Sequence, residues 1–332
     1  MKLSKEHIER LREMLGRPRQ RIVIVSHTNP DGDAVGSSLA WAEILRTMGH
    51  EVTCVVPNKF PYFLDWMPGI DEIVVFKTDT EGRAARAIAE ADILFCLDFN
   101  AISRLEILSA TIEANTTARR VLIDHHLSPD EGFDLSFSHP DSSSTCFLVY
   151  SIVEAMCGTE AITRSMAETL YVGMMTDTGN FAFSFLTPEL FRAVAVLLEK
   201  GISIPDIHNS VYNAYTEGRA RLFGYAINRK MEVIQDGTVA YMSLMENEMR
   251  RFQFSRATAR DSSTTPSRSK RSKCRPCSWR TASSSASRCV RGAVSTSTSS
   301  PGNISTAAVT RTPRAASRSF RCRRPSTTMS AR

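Results

Sequence analysis

Short apolar runs alternate with amphipathic segments between residues 20 and 200. The apolar runs are RIVIVS from Arg21, EVTCVV from Glu51, DEIVVF from Asp71, DILFCLDF from Asp92 and RVLIDHH from Arg120. Nearly continuous apolar strands that are separated by helices are typical of a parallel sheet covered on both faces. The pattern therefore predicts an α/β domain built on a mainly parallel sheet, with helices on both faces.

The helical pattern also divides the chain into segments. After a charged amphipathic helix at the start, apolar residues at helical spacing predict helices over residues 82–90, 145–157, 163–175 and 188–200. We predict four segments from these patterns. They are a catalytic domain over 1–200, a connector over 201–228, the truncated start of a second α/β domain over 229–254, and a tail over 255–332.

The tail differs from the rest of the chain in charge and composition. Residues 255–332 carry 17 basic residues and one acidic residue, a net charge of +16, whereas the preceding 254 residues carry 24 basic and 34 acidic residues, a net charge of −10. The tail is rich in Ser, Thr, Arg, Ala and Pro and has no sustained apolar periodicity. Such a segment buries too little surface to offset its ordering entropy, so we predict a disordered basic tail.

The sequence also favours one cellular compartment. No apolar run is long enough to span a bilayer, and the charged first helix differs from a signal peptide. Cys54, Cys96 and Cys146 lie in apolar segments, which indicates buried, reduced thiols rather than disulfides. We expect a cytoplasmic enzyme without membrane association. Formation of a homodimer stays open.

One polar loop contains residues that turn and helix-cap chemistry do not explain. SHTNPDGDAVGSS, from Ser26 to Ser38, follows the first predicted strand and leads into a helix. Turn chemistry explains Pro30, Gly32 and Asp33, because Asp33 stands at the position of a helix N-cap. It leaves His27 and Asp31 without a structural role.

Further histidine and aspartate residues follow other predicted elements. Asp98 ends the strand ILFCLD; Asp124, His125 and His126 end VLIDHH; and Asp177 closes a helix in YVGMMTDTGNF. Ligands of an open α/β sheet bind at the carboxyl ends of its strands. We therefore expect these groups and the first loop to form one site.

The types of side chain indicate metal chemistry. Oxygen and imidazole ligands without thiolates suit Mn²⁺ or Mg²⁺, with Zn²⁺ and Fe²⁺ open. Two ions about 3.5–4 Å apart share a bridging carboxylate and activate a water for in-line attack on phosphorus. The six available ligands are Asp31, Asp33, Asp98, Asp177, His27 and one of the paired histidines. We predict two divalent ions, with Mn²⁺ as the first choice and Mg²⁺ as the alternative.

Four motifs in order carry a family resemblance. HTNPDGDAVGSS, the lone Asp98, DHH at 124–126 and TDTGNF at 176–181 resemble the motifs of the DHH phosphoesterase superfamily. They are most similar to its nanoRNase branch, the bifunctional oligoribonucleases and pAp phosphatases. The resemblance runs from about residue 18 to Phe254.

The resemblance implies a role for each site residue. The metal ligands come first: His27 and Asp31 would hold one ion, Asp33, His125 and Asp177 the second, and Asp98 would bridge both. His126 would face the substrate phosphate, and Asp124 would orient the histidine pair, as carboxylates behind metal-binding histidines do.

Arg104 and a serine-rich run are weaker candidates for contact with the substrate phosphate. Arg104 lies six residues beyond Asp98, and the run Ser142-Ser143-Ser144-Thr145 leads into a predicted helix. For each candidate, a purely structural role explains the residue equally well. Arg104 would be a solvated arginine, and the serine run would supply a helix N-cap.

The implied substrates are short RNA oligonucleotides, degraded from an end to mononucleotides, and the 3′-phosphate of pAp. The hydrolysis would use a hydroxide activated by the two ions, which also stabilise charge on the phosphoryl oxygens. Two alternatives stay open. One is an inorganic pyrophosphatase or exopolyphosphatase of the same superfamily, and the other is a catalytically impaired nucleotide-binding protein.

The second domain of the resembled family, DHHA1, carries a glycine-rich GGGH motif that is absent here. Codons for PGNISTAAVTRTPRAAS, from Pro301, admit RKYFNGGGHANAAGG when their bases are regrouped by one position. We therefore infer that the reading frame is lost near Phe254, so that the substrate domain is largely missing. The alternatives are a basic tail that binds nucleic acid by charge, and a zinc site at Cys274 and Cys277.

Overall fold

The computed structural model describes residues 3–183, 185–213, 216–234 and 239–253. These residues form two compact units. The first contains the described residues up to 222 together with 249–253, and the second contains the described residues between 223 and 248. The predicted basic tail and the proposed loss of reading frame lie outside the described residues, and the predicted division into four segments stays a prediction.

A six-stranded sheet forms the centre of the first unit. Its strands are β1 (Arg21–Ser26), β2 (Glu51–Val56), β3 (Val74–Val75), β4 (Ile93–Leu97), β5 (Arg119–Asp124) and β6 (Leu135–Ser138). They pair in the order β3-β2-β1-β4-β5-β6, and every pair is parallel. This confirms the predicted α/β fold with a mainly parallel sheet.

Helices cover the sheet on both faces. The α-helices of the described residues are α1 (Lys5–Leu15), α2 (Gly32–Thr47), α3 (Arg83–Ala89), α4 (Ser109–Ala114), α5 (Thr145–Cys157), α6 (Arg164–Asp177), α7 (Pro188–Glu199), α8 (Ile204–His208), α9 (Glu217–Tyr225) and α10 (Glu246–Arg251). Ile22 and Ile24 of β1 belong to one buried apolar cluster, and Val23 and Val25 belong to another. Because alternate residues of a strand point to opposite faces, the two clusters lie on opposite sides of the sheet.

Two strands depart from the sequence prediction. The strand predicted over 71–76 is extended only at Val74–Val75, since 3₁₀ turns at Ile70–Glu72 and Phe76–Thr78 flank it. The four-residue strand β6 was not predicted. It alternates buried Leu135 and Phe137 with half-buried serines, so it lacks the continuous apolar run that marks the inner strands.

Helices α2 and α6 approach each other at glycines. A Cβ atom added to Gly36 would lie 2.4 Å from the Thr169 carbonyl oxygen, and one added to Gly32 would lie 2.5 Å from the Thr176 hydroxyl. A Cβ atom added to Gly173 would lie 2.1 Å from the sulfur of Cys146. Only glycine allows helix backbones to pack so closely. Gly32 and Gly36 therefore set the spacing between α2 and α6, which carry Asp33 and Asp177, and Gly173 sets the spacing between α6 and α5.

The second unit contains an antiparallel pair, β7 (Met231–Ile234) and β8 (Val239–Met242). The hydroxyl of Tyr225 donates a hydrogen bond of 2.6 Å to Oε1 of Glu248, and the ammonium of Lys230 lies 2.6 Å from the same oxygen.

Among the helices in the described part of the chain, none combines the length and apolar character that crossing a membrane requires.

Candidate metal centre

The candidate site lies where the strand order reverses. From β1 the chain proceeds outward to β2 and β3, and from β4 it proceeds outward on the other side to β5 and β6. Loops that follow the two central strands diverge there and leave a crevice, which is the usual ligand site of an open α/β sheet. His27 directly follows β1, and Asp98 directly follows β4. The predicted convergence of these two residues is observed.

Asp31 caps helix α2. Its Oδ1 atom accepts hydrogen bonds from the amides of Asp33 and Ala34, at 3.0 and 3.1 Å. The prediction that Asp33 stands at the N-cap position is therefore wrong. The helix begins at Gly32, so Asp31 is the residue whose carboxylate reaches the free amides of the first turn.

Asp33 is instead anchored to another helix. Its carboxylate is buried and accepts hydrogen bonds from the backbone amides of Thr145 and Cys146, at 2.7 and 2.8 Å. These amides belong to the first turn of α5, where backbone N–H groups lack helical partners and favour a negative charge. The N-terminus of α5 thus fixes the carboxylate of Asp33 within the site.

Asp98 lies between the two groups of predicted ligands. Its residue is only 2% exposed, and its backbone has a positive φ of 64°, which is uncommon for a residue other than glycine. The Oδ2 atom lies 3.4 Å from Nε2 of His27, and the Oδ1 atom lies 3.6 Å from Nε2 of His125. Each carboxylate oxygen therefore faces a different histidine, as a bridging ligand requires.

His125 follows β5 directly, and its side chain lies beside the carboxylate at the end of α6. Its Nε2 atom lies 3.5 Å from Oδ2 of Asp177 and 3.9 Å from Oδ2 of Asp33. Asp177 is the last residue of α6, in agreement with its predicted place at the transition from helix to loop. The opposite ring atom of His125, Nδ1, lies 3.4 Å from the carbonyl oxygen of Ser142.

His126 has a different environment from its neighbour. Its Nδ1 atom lies 2.7 Å from Oδ1 of Asp124, a fully buried carboxylate. This hydrogen bond raises the pKa of His126. The resemblance implies that Asp124 orients both histidines, but in the described part of the chain its carboxylate contacts His126 only.

The structure brings all six predicted ligands together in one connected set of neighbouring side chains. Within each of two groups, one ligand atom per residue lies within 4.8 Å of the others. The groups are His27, Asp31 and Asp98, and Asp33, His125 and Asp177. A third such group consists of Asp98, His125 and His126. The His126 atom beside Asp98 is Nδ1, 3.9 Å from Oδ1 of Asp98, and this same atom is bound to Asp124, which disfavours that third arrangement.

The electrostatics of the site fit a divalent cation. Burial raises the pKa of Asp33, and burial together with neighbouring carboxylates raises the pKa of Asp98 well above its usual range. Burial and the charge of Asp33 raise the pKa of Asp177 to about 8. Crowded carboxylates with few positive partners favour their charged form only when a cation compensates them. Oxygen and imidazole donors without thiolate suit Mn²⁺ or Mg²⁺.

The weaker candidates differ in accessibility. Arg104 is exposed, and its carbonyl oxygen accepts a hydrogen bond of 3.0 Å from the amide of Thr28, beside the first metal group. Ser144 is buried, and its hydroxyl caps α5 by accepting from the amide of Phe147. Ser143 is also buried, and its hydroxyl has no hydrogen-bond partner among the described residues. The structure therefore favours the N-cap alternative for Ser144.

Sequence reasoning missed the contacts made by Thr145 and Cys146. The sequence predicts Thr145 only as part of a run of candidate phosphate contacts, and Cys146 only as a buried thiol. Their amides bind Asp33 from a position more than 110 residues along the chain. The serine-rich start of a helix was a local signal for exposed amides, but nothing in the sequence showed which carboxylate they reach.

Comparison with known proteins agrees with the fold and the motifs. A family model described as the N-terminal domain of the DHH family matches residues 21–174. The crystal structure of an exopolyphosphatase-related protein from Bacteroides fragilis is 39% identical, with a TM-score of 0.73, over 78% of this chain and 75% of that one. The chain belongs to the DHH family.

Curated relatives confirm the predicted resemblance to the nanoRNase branch. The bifunctional oligoribonuclease and PAP phosphatase NrnA of Thermus thermophilus is 29% identical over 202 residues, which are 61% of this chain and 57% of that protein. The protein of the same description from Bacillus subtilis is 24% identical over 58% of this chain and 56% of its own length. The chain thus spans little more than half the length of these relatives.

Proposed function

We propose that the chain is a metal-dependent phosphoesterase that hydrolyses short RNA oligonucleotides and the 3′-phosphate of pAp. The observation that carries this proposal is the position of Asp98, whose two oxygens face two separate groups of metal-type donors. The substrate class is supported by the relatives from Thermus thermophilus and Bacillus subtilis, which are described as oligoribonucleases and PAP phosphatases.

The donor groups suggest how two ions would be held. His27 and Asp31 would hold one ion, Asp33, His125 and Asp177 the other, and Asp98 both. Mn²⁺ is our first choice and Mg²⁺ the alternative, because the donors are oxygen and imidazole. When bound, two such ions supply positive charge to the phosphoryl oxygens and lower the pKa of a water molecule.

His126 and Asp124 supply a second kind of chemistry. Asp124 accepts a hydrogen bond from the Nδ1–H group of His126, which leaves Nε2 as the ring atom that can contact a substrate. The hydrogen bond to Asp124 raises the pKa of His126, so that the ring holds a proton at Nε2 more readily. We assign His126 to donate this proton in a hydrogen bond to a phosphoryl oxygen, with Asp124 stabilising the positive ring.

Arg104 is the second proposed contact for phosphate. Its guanidinium is exposed and has no carboxylate partner in the part of the chain that the structure describes. The backbone bond to Thr28 places it beside the loop that carries His27 and Asp31. Arginine binds phosphate through two parallel N–H groups. The buried hydroxyls of Ser143 and Ser144 are less suited to this role.

A second function has one specific observation in its favour. The structural relative from Bacteroides fragilis is described as exopolyphosphatase-related, and it is 39% identical to this chain. Hydrolysis of pyrophosphate or polyphosphate would use the same metal donors but would need no nucleoside contact. A third possibility, an impaired nucleotide-binding protein, rests on the inferred loss of the substrate domain after Phe254.

Parallel assays of the purified chain separate these functions. The substrates are an RNA dinucleotide, pAp and pyrophosphate, each with Mn²⁺ and with a chelator. Our proposal predicts metal-dependent turnover of the dinucleotide and pAp at rates above that of pyrophosphate. Preferential hydrolysis of pyrophosphate would support the second function. Binding of pAp without turnover would support the third.

A further inference from the structure

Thr145 contacts two of the proposed metal ligands from the first position of α5. Its hydroxyl donates a hydrogen bond of 3.0 Å to Oδ1 of Asp98, and its backbone amide donates one of 2.7 Å to Oδ2 of Asp33. All three residues are buried, with at most 2% of their surface exposed. Hydrogen bonds to ionised carboxylates are stronger than neutral ones, and burial from water strengthens them further.

The rotation of the Asp98 carboxylate decides what it can bridge. Oδ2 lies 3.4 Å from Nε2 of His27, whereas Oδ1 lies 3.6 Å from Nε2 of His125. The terminal torsion of an aspartate is broad, so its own rotamer does not fix this rotation. The hydroxyl of Thr145 is bound to Oδ1, the oxygen on the side of His125. This contact holds one carboxylate oxygen toward each donor group.

We infer that Thr145 is a positioning residue that keeps the Asp98 carboxylate in the rotation needed to serve two metal ions. The inference rests on the proposed function. Because its hydroxyl is buried and engaged with Asp98, Thr145 does not bind the substrate phosphate. The Thr145 hydroxyl thus holds the Asp98 carboxylate in place instead of contacting the substrate.

The side chain and the backbone of Thr145 act on different ligands. The amide that binds Asp33 is unaffected by a change of side chain, whereas the bond to Asp98 depends on the hydroxyl alone. Thr145→Val keeps the shape of the side chain and removes this donor. Thr145→Ser keeps the donor. The pair therefore isolates the hydrogen bond to Asp98.

A matched control is available on α6. Thr169 is 1% exposed, and its hydroxyl donates to the backbone carbonyl of Met166 rather than to a carboxylate. Thr169→Val removes an equally buried hydroxyl without touching the proposed metal ligands. A loss of metal binding that is specific to Thr145→Val is thus distinguished from a general effect of burying a valine.

The experiment measures Mn²⁺ binding to the full chain. Calorimetric titration gives the affinity and the number of ions. Electron paramagnetic resonance shows whether two bound ions are magnetically coupled through a shared bridge. Thermal unfolding without metal gives the stability of each variant. Thr145→Ala, which also lacks the hydroxyl, is used in the same way if the valine variant does not fold.

We expect Thr145→Val to weaken Mn²⁺ binding by about 10- to 100-fold, the usual effect of removing a partner behind a metal ligand. It should also lose the coupled signal, while Thr145→Ser and Thr169→Val retain both. A folded Thr145→Val protein with wild-type affinity and coupling would overturn this inference alone. A wild-type chain that binds no Mn²⁺ would overturn both the inference and the proposed function.

Discussion

The Nδ1 atom of His126 lies 2.7 Å from the Oδ1 atom of Asp124, whereas the adjacent His125 directs its Nε2 atom toward Asp98 and Asp177. Two neighbouring histidines therefore have different environments. His125 lies among metal-type donors. His126 is bound to a buried carboxylate that favours its protonated form. This difference in partners is the basis for assigning one histidine to metal and the other to substrate.

Substitution of the two histidines tests this assignment. His125→Asn should weaken Mn²⁺ binding by at least about tenfold, because a proposed ligand is lost. His126→Asn should leave Mn²⁺ affinity nearly unchanged and lower turnover of a dinucleotide by about 100-fold, a typical effect of removing a positioned proton donor. Metal titration and steady-state kinetics on both variants give the comparison. Equal losses of metal affinity would contradict the division of roles.

The close packing at Gly173 gives a prediction for metal binding and stability. An added methyl group would lie 2.1 Å from the sulfur of Cys146 and 2.7 Å from Oδ1 of Asp33. We expect Gly173→Ala to reduce the free energy of unfolding by about 1–3 kcal/mol, the usual cost of overpacking, and to weaken Mn²⁺ binding by displacing Asp33.

The matched control for Gly173 is Gly224 in α9. A Cβ atom at Gly224 would meet no atom within 4 Å. Gly224→Ala should be neutral or slightly stabilising, because alanine favours helices more than glycine does. Urea unfolding and Mn²⁺ titration of both variants are the measurements. If Gly173→Ala matched Gly224→Ala in both, the close contact would have no energetic importance.

Much of the fold could be predicted because its signals are local. Strands β1 and β2 occur at their predicted positions, since each is a continuous apolar run with β-branched residues between polar flanks. Helix α5 also has its predicted bounds, Thr145–Cys157. Strand β6 escaped prediction because its pairing with β5, rather than its own short and serine-containing sequence, makes it extended.

The candidate site was predictable in its members but not in its internal contacts. Strand ends of a parallel sheet meet at one edge, so the convergence of His27 and Asp98 follows from topology. The bond between Asp33 and the amide of Thr145 joins residues 112 positions apart, and no periodicity encodes it. The sequence pattern favours Asp33 as the N-cap, whereas the structure has Asp31 there, because apolar spacing does not locate the start of α2 to one residue.

His50 should contribute a pH dependence to stability. Burial lowers the pKa of His50, and an interaction with the backbone of Leu15 partly opposes this shift. Below the ordinary value of 6.5, the unfolded chain therefore binds a proton at His50 that the folded chain resists. Stability contributed by the neutral ring is present above 6.5 and is lost as the pH falls below it.

The measurement is urea unfolding of metal-free protein at about pH 7.5 and about pH 5.5, on either side of the ordinary histidine pKa. The wild type should lose more stability between these values than His50→Leu does. His139 and His208 also have a pKa lowered by burial, and they contribute equally to both proteins. An identical loss in the two proteins would show that His50 does not resist protonation.

Restoring the inferred reading frame gives a prediction about substrate binding. A one-base shift near codon 254 should produce a chain with a GGGH loop, whose glycine amides can approach a phosphate. This chain should have a lower KM for a dinucleotide but an unchanged Mn²⁺ affinity, because all six proposed ligands precede residue 178. Early stop codons in the shifted frame, or no gain in activity, would refute the inference.

The role of Asp98 can be measured most directly through metal-dependent hydrolysis of an RNA dinucleotide. Asp98→Asn keeps the size of the side chain and removes the charge that two ions would share. We expect Mn²⁺-dependent release of mononucleotides by the wild type, and a loss of at least about 100-fold in a folded Asp98→Asn variant, on the scale of removing one electrostatic contact at a catalytic centre. Near-normal turnover by that variant would contradict the proposed two-metal centre.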